Sequence, residues 1–238
     1  MRIGILGGTG NMGRGLTIRW ALRHDILIGS RSVDKAQQVG KEQEKIAKGF
    51  HQADFKGSIK GVLNNEAVRK SEVVVVTLPS DAVVHALTEL KEYLQPNQVI
   101  VSTVVSMKKI KGLFHYTPIS GEATGPYQGK SAAEIIQEIV KPTPVVTAFQ
   151  TVPAAYLNNI DSVMNIDVLI ASNHDTSIKL ISRLICDIPN LRPLHVGPLD
   201  NSRLIESLTP LLLNAAILNN LQEPSIRVVP WMPASFEE

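Results

Sequence analysis

The chain has 238 residues, of which 44% are hydrophobic and 19% charged, and its formal net charge is +2. This balance, without a basic stripe interleaved with aromatic residues, argues against nucleic-acid binding. No apolar run is long enough for a membrane span, so we expect no membrane insertion. Cys186 is the only cysteine, which excludes an intrachain disulfide and a cysteine-based metal cluster. The first predicted strand begins at Arg2 and leaves no room for a signal peptide, so we expect a cytoplasmic protein.

The first thirty-one residues have the pattern of a strand, a glycine turn, a helix and a second strand. An apolar run ends at Leu6, and the spacing G-x-G-x-x-G follows at Gly8, Gly10 and Gly13. Gly8 would allow a tight turn, Gly10 a close approach of backbone amides to a pyrophosphate, and Gly13 close packing of helix on strand. The complete strand–turn–helix–strand unit therefore predicts a dinucleotide site, with the anion at the start of the helix.

The end of the second strand indicates which dinucleotide binds. NAD sites usually carry Asp or Glu there to hold the ribose 2′-hydroxyl, whereas this chain has Gly29, followed by Ser30 and Arg31. Arg31 and Lys35 would place two cations at a helix start, where the helix dipole disfavours them unless an anion is bound. A hydroxyl and two cations suit a 2′-phosphate, so we predict NADP.

Downstream, apolar runs alternate with amphipathic segments. Strands are predicted at 55–60, 73–79, 98–102 and 144–150, and helices at 33–50, 64–70, 80–93 and from Ser131, which opens a capping box with Glu134. The pattern predicts a doubly wound, mostly parallel α/β sheet of about six strands up to residue 153. Thr77, Leu78 and Pro79 would end a central strand at the edge that carries the glycine turn. Residues 107–112 are predicted as a solvated loop, with the alternative that their three lysines face an anionic ligand tail.

The remainder predicts a smaller α/β part, so we divide the chain into 1–153 and 154–238. Strands are expected at 167–171 and 192–196, a helix at 175–187, and a long apolar helix at 201–220. Arg203, Glu206, Ser207 and Thr209 are assigned to the outer positions of that helix. Residues 120–129 are predicted as a loop, and the chain from Pro224 onward as an extended tail.

Several segments together resemble the archaeal and bacterial coenzyme F420-dependent NADP oxidoreductases, and the resemblance extends to about Asn220. The matching segments are 7–13, 29–31, 131–134, 153–155 and 197–210. The resemblance implies a Rossmann-type domain with a smaller C-terminal domain, and between them a cleft that holds NADP and the deazaflavin coenzyme F420 face to face. It also implies hydride transfer between C5 of the deazaflavin and C4 of the nicotinamide. Family members are oligomeric, so a homodimer or larger homo-oligomer is expected.

The resemblance also assigns roles to residues of this chain. Thr9, Gly10, Asn11 and Met12 should bind the pyrophosphate, within the cofactor-binding turn that also includes Gly8 and Gly13. Ser30, Arg31 and Lys35 should bind the 2′-phosphate, and Thr77, Leu78 and Pro79 should line the path from the adenosine to the nicotinamide. Thr151, Pro153 and Ala154 should lie beside the nicotinamide and the deazaflavin, and Gln150, Val152, Arg203, Ser207 and Thr209 should position the two rings. We expect no acid–base catalyst, because both rings carry their own chemistry, and no metal. The simpler alternative for Arg203 is a surface charge paired with Glu206 or Asp200.

Two positions depart from the family pattern and keep other functions open. Gln150 stands where the family often has His; it could still donate a hydrogen bond to a coenzyme carbonyl but cannot become cationic. Ser80 replaces a bulky aromatic and could widen the acceptor pocket. One alternative is an NADPH-dependent reductase of a flavin or of a small carbonyl or imine substrate. Another is a non-catalytic NADPH sensor, which the specific C-terminal segment argues against.

Overall fold

The computed structural model describes residues 1–119 and 127–230. Part of the loop predicted at 120–129 and the end of the predicted tail, residues 231–238, lie outside the described residues. Among the described residues no helix is long and apolar enough to cross a bilayer.

Six parallel strands form the central sheet, in the order β3-β2-β1-β4-β5-β8. Their bounds are β1 Arg2–Leu6, β2 Asp25–Ser30, β3 Ser58–Leu63, β4 Val73–Val76, β5 Val99–Ser102 and β8 Val145–Thr147. The order reverses between β1 and β4, and in doubly wound sheets ligands bind outside the carboxyl ends of the strands at that point. The predicted fold class is confirmed.

Helices cover both faces of the sheet, which explains the unbroken apolar run of β4. Their bounds are α1 Asn11–Trp20, α2 Val33–His51, α3 Asn64–Lys70, α4 Ser80–Leu90, α5 Ala132–Val140, α6 Ala154–Asn158, α7 Asp175–Cys186 and α8 Ser202–Asn219. Helices α1, α2, α6 and α7 contribute to one hydrophobic core, and α3, α4 and α5 to the core on the opposite face. The predicted capping box is present, with Ser131 and Glu134 at the start of α5.

The C-terminal part packs against the same sheet. Strands β9 Ile166–Ile170 and β10 Leu191–His195 pair in parallel, with α7 between them in sequence. A single antiparallel bridge joins Ala171 to Thr147, at the end of the edge strand β8. Buried residues of β9 and α7 belong to the same core as those of β1 and β2. This part is therefore built directly onto one edge and one face of the sheet.

The prediction of a loop at 107–112 is wrong, because these residues begin a β-hairpin. Strands β6 Met107–Ile110 and β7 Leu113–Tyr116 pair antiparallel across a two-residue turn. Both turn residues have positive φ, +50° at Lys111 and +89° at Gly112, as a twisted two-residue hairpin requires. The Lys-Gly turn lacks the usual Asn or Asp, so the turn was not recognised.

Strand β3 lies about three residues later than predicted. A glycine such as Gly61 suggests the end of a strand, but Gly61 lies inside β3. Helix α2 packs directly on it, and a Cβ at Gly61 would lie 1.9 Å from the carbonyl oxygen of Ala36. The glycine therefore permits close helix-on-strand packing rather than breaking the strand.

Candidate coenzyme site

The glycine turn joins β1 to α1 in a tightly packed arrangement. Gly7 adopts φ +84°, and the amide of Gly10 donates to its carbonyl at 2.9 Å. The left-handed residue is thus Gly7 and not Gly8, where the sequence placed the tight turn. A Cβ at Gly13 would lie 2.6 Å from Cα of Gly8, so only glycine lets α1 begin this close to the turn. Backbone amides of the first helical turn, which no side chain caps, are available to an anion.

Two side chains hold the turn in place. The Thr77 hydroxyl donates to the carbonyl of Leu6 at 2.8 Å, which confirms that the end of β4 and the glycine turn share one edge of the sheet. Gln43 of α2 donates through Nε2 to the carbonyl of Gly8 at 3.1 Å. Gln43 is buried, although its charged and polar neighbours in sequence suggested an exposed helix. The sequence carries no signal for this role.

The end of β2 offers cations and no carboxylate. Arg31 and Lys35 are exposed, and Ser32 caps α2 by accepting from the amide of Lys35. A side chain at position 29 would meet Asn64, since a Cβ there would lie 2.8 Å from Asn64 Oδ1. The space that an NAD-type acid would occupy is therefore already filled. Asn64 Oδ1 is buried with no partner among the described residues. The 2′-phosphate role of Ser30, Arg31 and Lys35 stays a prediction.

A cavity of about 560 Å³ lies between the glycine turn, the segment after β8, α8 and the chain that follows α8. It is lined by Met12, Gln150, Thr151, Val152, Pro153, Ala154, Thr209, Leu212, Leu213, Ala216, Leu221, Gln222, Glu223 and Pro224. Seven residues assigned from sequence thus meet in one place. The apolar residues of α8 and the segment 221–224 were missed as lining residues, because the sequence suggested only a buried or shared helix and an extended tail. Apolar walls with a few polar groups suit a flat ring system.

Gln150 is one of the residues that line this cavity, and the protein itself holds its side-chain amide. Its side chain is 5% exposed, and Nε2 donates to the carbonyl of Ser102 at 2.8 Å and to the Thr147 hydroxyl. Because the Ser102 carbonyl can only accept, the amide nitrogen must face it. Oε1 is left buried with no hydrogen-bond partner among the described residues. Both donors of the Gln150 amide are engaged within the protein. Donation from Gln150 to a coenzyme carbonyl stays a prediction, and it would require one of these bonds to be released.

The backbone before Gln150 is held in an unusual conformation. Phe149 is buried with φ +72°, which is rare for a bulky residue. Its ring packs edge-on against Trp20, with centroids 5.6 Å apart and planes at 84°. The Trp20 indole in turn donates to the carbonyl of Leu184 at 2.8 Å. The core thus fixes the turn that directs Gln150 to the cavity.

The C-terminal strap, residues 221–230, closes one wall of the cavity. Ser225 donates to the carbonyl of Thr151 at 2.7 Å. Asp167 and Arg192, both buried, form a bidentate pair at 2.8 and 2.7 Å. Arg192 also donates to the carbonyl of Val228 at 2.8 Å, and the amide of Val228 donates to the Asp167 carboxylate. A buried ion pair on β9 and β10 therefore fixes the strap.

The site residues assigned to α8, at positions 203, 207 and 209, fall into two groups in the structure. Thr209 lines the cavity, and its hydroxyl donates to the carbonyl of Gln150 at 2.8 Å. Arg203 and Ser207 are not among the described lining residues. Arg203 pairs with Glu134 through two contacts of 2.6 Å, so pairing with Glu206 or Asp200 is wrong. The hydrogen bonds to Glu134 raise the pKa of Arg203. The roles of Arg203 and Ser207 toward the deazaflavin stay predictions.

Glu206 is fully buried, contrary to its predicted outer position. Its carboxylate accepts from the amides of Ala132 and Ala133 at 3.0 and 3.1 Å, and from the Tyr116 hydroxyl at 3.3 Å. It thereby satisfies the amides at the start of α5, which the sequence could not show because Ala132 lies 74 residues earlier in the chain. Burial raises the pKa of Glu206 to about 7, although the two amides act in the opposite direction. Burial and this nearby carboxylate also raise the pKa of Tyr116.

Within residues 1–119 and 127–230 there is no group of three or more His, Cys, Asp and Glu side chains that could hold a metal ion. The site is instead a glycine turn at the sheet edge, next to a mostly apolar cavity with a directed amide. This combination defines an α/β nucleotide-binding protein of the Rossmann type with space for a second flat molecule.

Comparison with known proteins identifies the family within this class of nucleotide-binding proteins. Residues 2–106 match the model of the family described as NADP oxidoreductase coenzyme F420-dependent. The chain is 33% identical over 233 residues to the F420-dependent NADP reductase of Methanocaldococcus jannaschii, covering 96% of this chain and 98% of that protein. The enzyme of the same name from Methanothermobacter marburgensis is 34% identical, with the same coverage. The chain belongs to the F420-dependent NADP reductase family.

Solved structures agree on the fold. A crystal structure from Arthrobacter sp. FB24, described provisionally as an F420-dependent NADP-reductase, gives a TM-score of 0.75 at 19% identity and covers 96% of this chain and 99% of that one. The imine reductase of Streptomyces aurantiacus gives 0.59 at 16% identity, covering 92% and 64%. At such identities the likeness concerns the fold alone.

Proposed function

We propose that the protein is an oxidoreductase that transfers a hydride reversibly between NADP(H) and coenzyme F420. The observation that carries the proposal is the apolar cavity beside the glycine turn, which gathers Met12, residues 150–154 and Thr209 in a member of this family. The relatives carry the name F420-dependent NADP reductase over nearly the whole length of the chain.

The residues present fit both coenzymes. The amides of Thr9, Asn11 and Met12 would bind the pyrophosphate. Gly10, whose amide donates to Gly7, would allow the pyrophosphate to approach the backbone closely. Ser30, Arg31 and Lys35 would bind the 2′-phosphate that distinguishes NADP from NAD. The two rings would lie in the cavity, and Thr77, Leu78 and Pro79 would approach the nucleotide from the end of β4.

The two coenzymes supply the redox chemistry, since each ring can carry a hydride. The protein's part is to bind, to orient and to exclude water. Gln150 would orient a ring through its free acceptor, and the apolar side chains Leu212, Leu213 and Leu221 would keep water out. The proposal requires no acid–base residue.

We further propose a homodimer in which α8 pairs with α8 of a second copy. Leu204, Leu211 and Leu218 are 67, 63 and 69% exposed and lie seven residues apart, so they form one apolar stripe along the helix. Leu208 and Ala215 lie between them at the intervening seam positions. A stripe of this kind on a surface helix supports an interface.

We also propose a role for each of the two parts of the chain and a cellular location for the protein. Residues 1–153 would bind NADP, and residues 154–238 would complete the cleft for the second coenzyme. A cytoplasmic location fits the use of NADP(H) and a chain with one cysteine.

The test is a rapid-mixing absorbance experiment with NADPH and oxidised F420, with NADH and with free flavin in parallel reactions. Rapid loss of the deazaflavin absorbance with NADPH, and little with NADH, is expected. Turnover of flavin alone would favour a flavin reductase. Tight NADPH binding without turnover of either acceptor would favour a sensor.

A further inference from the structure

Helix α6 follows directly from the segment that lines the cavity. It has five residues, and Pro153 and Ala154 at its start are cavity-lining residues. A helix this short is not stable by itself, because forming its first turn costs more conformational entropy than one hydrogen bond returns. The position of these two cavity residues is therefore set in part by the contacts that hold α6.

Arg19, in the last turn of α1, holds the end of α6. Its Nε donates to the carbonyl of Leu157 at 3.1 Å, and its Nη2 donates to the carbonyls of Tyr156 and Asn159 at 3.1 and 2.8 Å. The last carbonyls of a helix lack partners within the helix, so Arg19 satisfies them from outside. Arg19 is buried, and burial lowers the pKa of its guanidinium, although the charge of Asp161 acts in the opposite direction. A buried cation is unfavourable unless it is hydrogen-bonded, and the end of α6 supplies those bonds.

Two further contacts join α6 to α1. Asn158 donates through Nδ2 to the carbonyl of Asn11 at 2.8 Å, at the start of α1. Gly15 lets the two helices touch, since a Cβ there would lie 2.5 Å from Cβ of Leu157. With Arg19, the contacts extend from the first turn of α1 to its last. Because the start of α1 would bind the NADP pyrophosphate, they fix the beginning of α6 relative to the nucleotide.

We infer, on the basis of the proposed function, that Arg19 is a positioning residue for hydride transfer: through α6 it sets how the two rings face each other, and it contacts neither ring. Hydride transfer requires the two reacting carbons to lie in a near-attack geometry, and a displacement of about 1 Å caused far from the reaction can cost about a hundredfold in rate. A shift of α6 away from α1 would move Pro153 and Ala154 relative to the nucleotide. The chemical step should then slow while each coenzyme still binds.

Two variants that displace α6 by different means test the role of Arg19. Arg19→Lys keeps the charge, but a single nitrogen cannot reproduce the fork that holds three carbonyls. Gly15→Ala inserts a methyl group between the two helices, and alanine at the same time favours the helical conformation of α1. Arg23→Lys, at an exposed cation shortly after α1, is the matched control and should behave as wild type.

Hydrogen exchange in the free protein reports on α6 without any coenzyme. In Arg19→Lys the amides of Tyr156, Leu157 and Asn159, which donate within this segment, should exchange about tenfold or more faster than in wild type. The amides of β1 should not change.

A single turnover of NADPH with oxidised F420 then separates positioning from stability. In Arg19→Lys the rate constant of hydride transfer should fall about ten- to hundredfold, while the amplitude and the Kd of NADPH stay as in wild type. Gly15→Ala should lower the rate constant in the same way. If Arg19→Lys does not fold, Gly15→Ala still tests whether the contact between α1 and α6 sets the rate.

Other outcomes would overturn the inference. A lower amplitude with an unchanged rate constant would make Arg19 a residue that only stabilises the fold. Weaker NADPH binding with an unchanged rate constant would assign the contacts between α1 and α6 to nucleotide affinity. Wild-type rate constants in both variants would show that α6 does not set the geometry of the rings. If the wild-type protein binds NADPH but transfers no hydride to F420, the proposed function itself fails, and the role of Arg19 fails with it.

Discussion

At position 150 the orientation of one amide determines which group of a bound ring can be recognised. Gln150 Nε2 is held by Ser102 and Thr147, and Oε1 is buried without a hydrogen-bond partner among the described residues. A ring group that donates an N–H, such as the nicotinamide carboxamide, would satisfy it. Position 150 is thus occupied by an acceptor that the core orients.

An NADPH analogue with an acetyl group in place of the carboxamide tests this orientation. It lacks the N–H donor, so wild-type protein should bind it about two- to tenfold more weakly than NADPH, the loss expected for one neutral hydrogen bond. Gln150→Met should bind both about equally, because the acceptor is absent. Isothermal titration of all four combinations measures the coupling. The same preference in both proteins would show that Oε1 does not contact the carboxamide.

Arg31 offers a second test at the scale of a residue. Arg31→Gln should weaken NADPH binding about ten- to hundredfold and leave NADH unchanged, because only NADPH carries the 2′-phosphate. Lys41→Gln, an exposed cation further along α2, is the control and should change neither affinity. Titration of each protein with both nucleotides gives the ratio. A proportional loss for both nucleotides would contradict the assignment.

Glu206 predicts a dependence of stability on pH. Its pKa is about 7 in the folded protein and near 4.5 when unfolded, so the folded state retains a proton that the unfolded state has already lost. The contribution of this group to stability is therefore greatest below the unfolded pKa, falls as the pH rises through the folded pKa, and is then constant. The total loss is on the order of 3 kcal/mol. Urea unfolding from pH 4 to 8 should show a slope that Glu206→Gln reduces; an unchanged slope would exclude Glu206 as its source.

Among the elements, the C-terminal strap is held in part by the buried Asp167–Arg192 ion pair. Asp167→Ala would leave Arg192 without its bidentate partner and would release the amide of Val228. Removing one member of a buried pair is strongly destabilising, and the midpoint of thermal unfolding should fall by about 10 °C. Glu66→Gln, which breaks an exposed pair within α3, should shift it by about 1 °C or less. Differential scanning calorimetry compares them; equal shifts would mean that the strap contributes nothing to global stability.

For the whole molecule, the exposed stripe on α8 predicts the state of association. Leu211→Glu would place a charge at the centre of the stripe and should convert a dimer to a monomer, because an unpaired charge cannot be buried there. Val163→Glu, at another exposed apolar position, is the control. Sedimentation at several protein concentrations gives the mass. A wild-type protein that stays monomeric at all of them would refute the dimer.

The sequence predicts the sheet and its coenzyme edge well, because the signals there are local. The glycine spacing, the apolar run of β4 and the capping box at Ser131 each determine structure within a few residues. Contacts between distant segments could not be read in the same way. Gln43 beneath Gly8, Glu206 at the start of α5, and Asp167 fixing Val228 all depend on packing between segments far apart in the chain. The hairpin at 107–116 is local in the chain, but its Lys-Gly turn lacks the Asn or Asp that usually identifies such a turn in a sequence.

The position of the strap has a consequence for biosynthesis. Residues 221–224 form part of the cavity wall, and the ribosome adds them after every strand of the central sheet. Because domains begin to fold from the N-terminus while synthesis continues, the glycine turn can form long before this wall exists. A nascent chain would therefore acquire its nucleotide-binding edge first and its second binding pocket later. Chains truncated before residue 221 should consequently accumulate as proteins able to bind a nucleotide but lacking a complete pocket for its redox partner.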